Sequence, residues 1–156
     1  MNNCRYSKDI KGEVTMEDIR TQAARALNPL LSEFELISGQ ALKSVFEKKE
    51  YGDIVKIIFD FEEVSLVVSE NGDDDTIDFE VVKIGDRSID DTYTDASKRN
   101  PWYQFIGKRF CWGWVTLDRQ GDLDGVLISF EIITPTLILN VVERSIKVGI
   151  IVQINI

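Results

Sequence analysis

Residues 53–69 read DIVKIIFDFEEVSLVVS, and residues 124–140 read DGVLISFEIITPTLILN. Aligned without gaps, they coincide at Asp53/Asp124, Val55/Val126, Ile57/Ile128, Phe59/Phe130 and Leu66/Leu137. The apolar pairs fall on one face of each strand pair, because side chains alternate across a strand. A stretch that recurs in this way predicts an architecture used twice.

Outward from these stretches, the period-2 pattern predicts strands over 41–49, 53–61, 63–70 and 76–84. A second series follows over 108–117, 124–132, 136–143 and 145–155. Asn71-Gly72 suits the positive φ of a tight hairpin, and Glu143-Arg144-Ser145 should turn the last one. Asn28-Pro29 and Asn100-Pro101 each precede an apolar stretch, then Gly39 or Gly107, then the strand run. The expected units are a repeat over about 28–84, an acidic connector over 85–99, and a repeat over about 100–156. Sequential short strands imply antiparallel pairing, since parallel strands need long crossovers.

Before the strands, residues 1–14 are polar and aperiodic, a loose lead-in to a single domain over 15–156. Thr15 looks like a helix N-cap with Asp18 reaching back. Met16, Ile19, Ala23, Leu27, Leu30, Leu31 and Phe34 then form an amphipathic stripe. Pro29 interrupts it, so either the helix kinks there or, the preferred reading, it ends near Asn28 and a second short helix starts from an Asn28 cap and Pro29. The predicted fold class is α+β, an N-terminal helix packed on antiparallel sheet made of two successive four-strand meanders related by an internal repeat.

The chain has 156 residues and a net charge of −9. That length suits one domain with a sizeable core. An acidic surface repels phosphate backbones and anionic lipid, so neither nucleic acid nor membrane is the expected partner; a basic protein is. There is no histidine, which excludes Ser-His-Asp and Cys-His hydrolases and histidine-ligated metal sites in this chain. Cys4 and Cys111 match no metal-ligand spacing, phosphate-cradling glycine loops are absent, and no cofactor is expected. Residues 1–14 lack an apolar core and no run reaches spanning length, so a soluble, cytoplasmic protein is expected.

The densest aromatic cluster is Trp102, Tyr103, Phe105, Phe110, Trp112 and Trp114. Phe110, Trp112 and Trp114 alternate, which puts all three on one strand face, either an exposed binding or stacking face or, the favoured reading, core under the helix. Trp102 and Tyr103 are the expected exposed members and a candidate partner-binding pair. Asp86, Asp90, Asp91 and Asp95 of the connector, and Asp73, Asp74 and Asp75 after the Asn71-Gly72 turn, are the other candidate contacts for a basic partner. Gln120-Gly121-Asp122-Leu123-Asp124-Gly125 carries two carboxylates but lacks the further ligands of a calcium loop. Asp124 is read there as a turn former, as is Asp53.

Trp102, Ile106-Gly107-Lys108, the spaced Phe110, Trp112 and Trp114, the 120–126 turn and Ser129-Phe130 together resemble an uncharacterised bacterial family of small proteins of unknown function. The resemblance implies no catalytic residues. Some such families lie beside toxin genes as immunity proteins. Two readings therefore stand: a non-enzymatic protein-binding module, in its narrower form an immunity-type inhibitor, or a small-ligand carrier or carboxylate-dependent enzyme with a pocket lined by Trp112 and Trp114. A homo-oligomer formed through a sheet edge or the aromatic face is compatible with either.

Overall fold

The computed structural model describes residues 31–152 and 154. The lead-in, the Thr15–Asp18 cap and Asn28-Pro29 lie outside them. Strands β1 (Ser44–Glu50), β2 (Asp53–Asp60), β3 (Val64–Glu70) and β4 (Ile77–Lys83) form the first meander. After β5 (Tyr93–Asp95), the second consists of β6 (Phe110–Leu117), β7 (Leu123–Phe130), β8 (Leu137–Val142) and β9 (Ser145–Ile150). All pairings are antiparallel. The sheet orders are β4-β3-β2-β1-β5 and β6-β7-β8-β9. With the helix α1, whose described part is 31–37, the fold is α+β.

The aligned stretches fall on matching strands, β2–β3 and β7–β8. Ile57, Phe59 and Leu66 are buried like Ile128, Phe130 and Leu137. The likeness stays one of strand order. A register shift beside Val55 breaks β2, whereas Val126 pairs regularly with Val115, and among the described residues the first sheet has five strands and the second four.

The described part of the helix packs against both sheets. Phe34 stacks on Phe79 of β4 at 5.0 Å and on Phe110 of β6 at 6.0 Å, so α1 plugs the seam between the two sheets. Phe34 and Ile37, both fully buried, sit one turn apart and reach the core there. Glu33 Oε2 accepts the Val81 N–H at 2.8 Å, satisfying a donor that β4 offers at the sheet edge. Past the helix, Ala41 bridges Arg109, and Leu42 donates to Lys108 O at 2.9 Å. The chain leaving α1 is thus stitched to the start of β6. Gly113 is required by this packing, because a Cβ there would come within 2.5 Å of the Phe34 ring.

The connector is more ordered than its polarity suggests. Tyr93–Asp95 pairs with β1 as β5. Ala96 is fully buried and donates to Val45 O at 2.8 Å, while Ser97 Oγ accepts the Val45 N–H at 2.9 Å. A segment with little to bury is held here by main-chain bonds to an otherwise open edge.

The expected turns come out unequally. Glu143 and Arg144 turn the β8–β9 hairpin with φ of 50° and 62°, as expected. Asn71-Gly72 opens a longer loop with a 3-10 turn over Gly72–Asp74. Asp124 is no turn former: it lies within β7 and accepts the Thr116 hydroxyl at 2.6 Å. Asp118 orders that turn instead, accepting from Gln120 N and Asp122 N, and Asp53 begins β2.

Candidate functional site

Trp102 is the largest departure from expectation. It opens a 3-10 turn and is fully buried, so it is not a surface contact. Its indole N–H donates to Glu47 Oε1 at 2.6 Å, and Arg99 Nη2 meets Glu47 Oε2 at 3.1 Å. The ring packs edge-on against Phe59 at 5.4 Å. Glu47 lies on the inner face of β1, two residues from Val45, so its charge is balanced by these donors in place of water. A buried indole needs an acceptor, and Glu47 provides one that the aromatic pattern of 102–114 gave no sign of. Tyr103, 57% exposed, is the member of the pair left on the surface.

The alternating tryptophans also separate. A bulge between Phe110 and Trp112 shifts the β6 register. Gly113 and Val115 then oppose the buried Ile128 and Val126, while Trp114 opposes Leu127. Only Phe110 of the three is fully inside. Beneath the described part of the helix the rings of Phe34, Phe79 and Phe110 pack together, with Trp112 tilted against Phe34 at 6.3 Å.

The connector acids divide by role. Asp90 accepts from Thr92 N and from the Thr92 hydroxyl, and Asp95 accepts from Ser97 N at 2.9 Å and Ser97 Oγ at 2.6 Å. The hydroxyl bonds, then the amide bonds, hold both carboxyls below their ordinary range. Asp86 and Asp91 are exposed. Between them Arg87 folds onto the outer face of the first sheet. Its Nε lies 2.7 Å from the buried Asp60 carboxylate, which also accepts from Ser65 Oγ at 2.6 Å. The hydrogen bond to Asp60 raises the Arg87 pKa further above its ordinary value. Asp74 and Asp75 are exposed, and Asp75 Oδ1 accepts the Arg144 N–H at 3.0 Å. The structure therefore brings Asp75 to the β8–β9 tip.

That tip borders a site the sequence reading missed. At the end of the sheets where β1–β2 and β8–β9 turn, a cavity of about 290 Å³ is lined by Glu50, Tyr51, Asp53, Glu70, Glu143 and Arg144, among others. Glu70 continues the inward series Leu66, Val68 and opposes the buried Ile77. Its Oε2 is shut off from solvent and has no hydrogen-bond partner. Tyr51 is fully exposed at φ of 52°. The available signal was a carboxylate at a position where strand alternation calls for an apolar side chain.

The chain belongs to DUF6334, a family of unknown function, whose model matches residues 28–155. No curated protein and no solved structure matches it. No helix among the described residues is long and apolar enough to cross a membrane.

Proposed function

We propose that this chain is a non-enzymatic, cytoplasmic protein-binding module whose partner is basic. The observation that supports this most is the contrast between a ring-filled interior and a surface carrying exposed carboxylates such as Asp74, Asp86 and Asp91. With net charge −9, a basic partner would be steered to it and a nucleic acid repelled. Immunity-type inhibition of a basic toxin is the narrower form of the same reading. The test is affinity capture with cross-linking from source cells at low and high salt. Wild type should retain a basic protein in a salt-sensitive manner. The Asp74→Asn/Asp86→Asn/Asp91→Asn variant, which leaves the capping Asp90 and Asp95 intact, should retain less. Absence of any stoichiometric partner at low salt would overturn the reading.

A further inference from the structure

We infer that the open edge of β9 pairs antiparallel with the same edge of a second copy of this chain, about a two-fold axis through Ile150. β9 ends the second sheet, with β8 on one side only. Ile151 donates to Thr136 O at 3.0 Å, so the ladder with β8 runs on past the strand. Backbone groups alternate in direction along an antiparallel pair. Those of Val148, Ile150 and Val152 therefore point away from β8, and among the described residues nothing bonds to them.

The other sheet edges are shielded over part or all of their length. β1 is covered by β5, which is three residues long and ends in the exposed Asp95. β4 carries the exposed Asp78 and Glu80 and gives its Val81 N–H to Glu33. β6 is stitched at its start to residues 39–42. Proteins blunt edges in these ways because an open edge recruits strands. β9 has one such device, Lys147, and beyond it residues 148–156 hold no charged side chain. Ile150, Ile151 and Val152 are nonetheless exposed, as are Ile132 and Ile133 on the turn that leads to Thr136.

The occupant this strip fits is itself. A chain of net charge −9 meets its own kind against repulsion, and a charge-free strip is where two copies can touch at least cost. With Ile150 opposite Ile150, Val148 meets Val152 of the second copy and Gly149 meets Ile151, so every pair is free of charge. A register centred nearer Lys147 would bring the two lysines together, which like charges oppose. Gly149 also leaves a gap on the outer sheet face, where a Cβ would come within 2.8 Å of Ile138 Cγ2. Ile151 of the second copy would stand beside that gap and lengthen the row Trp114, Leu127, Ile138 that crosses β6, β7 and β8. Such a pairing is isologous and closes at two copies.

The test is sedimentation velocity of the full chain from about 1 to about 500 µM, the range a small interface calls for, at low and high salt. A monomer–dimer equilibrium is expected, tighter at high salt because screening weakens the repulsion between copies. Capture of a basic partner has the opposite salt dependence, so the two readings fail separately. Ile150→Pro removes an outward N–H that β8 does not use. It should weaken dimerisation about tenfold, since each copy loses one donor. Val152→Lys, at a side chain 74% exposed, should weaken it similarly by guarding the edge with charge, and it keeps the test sound if the proline disturbs β9. Leu36→Lys, at an exposed apolar site on α1, should change nothing. In a Cys4→Ser/Cys111→Ser background, Ile150→Cys should cross-link to its own copy on mild oxidation, because directly opposed residues lie within disulfide reach. Leu36→Cys should not. A monomer throughout the range, a dimer indifferent to both Ile150→Pro and Val152→Lys, or equal cross-linking from Leu36→Cys would each overturn the pairing.

Discussion

Replacing Trp102 with phenylalanine puts the inner carboxylate on trial. The indole N–H stands 2.6 Å from Glu47 Oε1, and both residues are buried. A hydrogen bond to a charged group contributes about 1.5–3 kcal/mol net, and phenylalanine has no donor to replace it. The smaller ring leaves roughly 40 Å³, which at about 24 cal/mol per Å³ of cavity adds about 1 kcal/mol. The expected loss is about 2.5–4 kcal/mol, a large share of the ~5–15 kcal/mol that holds a domain folded. At about 2–4 °C per kcal/mol for a chain of this size, the melting temperature should fall by roughly 5–16 °C. A double-mutant cycle with Glu47→Gln isolates the charge. Glutamine still accepts from the indole, but a neutral bond contributes only about 0.5–1.5 kcal/mol, so Trp102→Phe should cost about 1–1.5 kcal/mol less in that background. Urea denaturation followed by far-UV circular dichroism avoids the fluorescence change that losing a tryptophan brings. A cost under about 1 kcal/mol, or the same cost in both backgrounds, would refute the charge-assisted pairing.

Three other outcomes follow from the packing and the electrostatics. Gly113→Ala drives a methyl into the Phe34 ring, which Phe79 and Phe110 hold in place; overpacking of this kind should cost about 1–3 kcal/mol, and an unchanged melting temperature would contradict the contact. Arg87→Ala leaves the buried Asp60 with only the Ser65 and Ser44 hydroxyls. The loss should be about 1–3 kcal/mol, below that of a fully buried pair because Arg87 is partly solvated, and Asp60→Asn should recover part of it; equal stability of Arg87→Ala and wild type would refute the pairing. Asp90 and Asp95 have depressed pKa values in the folded state, so their contribution is present above the ordinary carboxylate value of 3.8 and is lost as pH falls through the lower folded values. Acid titration of stability should therefore be shallower in the Asp90→Asn/Asp95→Asn variant, and parallel curves would speak against the caps.

The strand series was legible because alternation carried it. Residues 53–61 and 136–143 were expected, and β2 covers Asp53–Asp60 and β8 Leu137–Val142. Strand β5 was not legible, since Tyr93-Thr94-Asp95 has no buried face and exists only because β1 offers an unpaired edge. Trp102 was misplaced for a related reason. Its burial depends on a carboxylate 55 positions earlier, and composition around the tryptophan carries no trace of that partner. The bulge that redirects Trp112 is likewise set by pairing with Ser129 and not by the spacing of the aromatics. Of the candidate site, the acidity was readable. The cavity was not, because it is assembled from the tips of hairpins that belong to different sheets.

Each meander pairs residues that are near neighbours in the chain, whereas the bonds that close the molecule span much more of it. Val45 to Ser97, Glu47 to Trp102 and Gly39 to Arg109 bridge separations of 52, 55 and 70 residues. Loop-closure entropy must be overcome before such contacts contribute, so the hairpins can assemble while the closures are still open. The closures then act as a kinetic clasp: formed late, they hold back escape from the native state more than they speed arrival. A weakened Glu47–Trp102 pair should accordingly register in the unfolding limb of a chevron and leave the folding limb nearly unmoved.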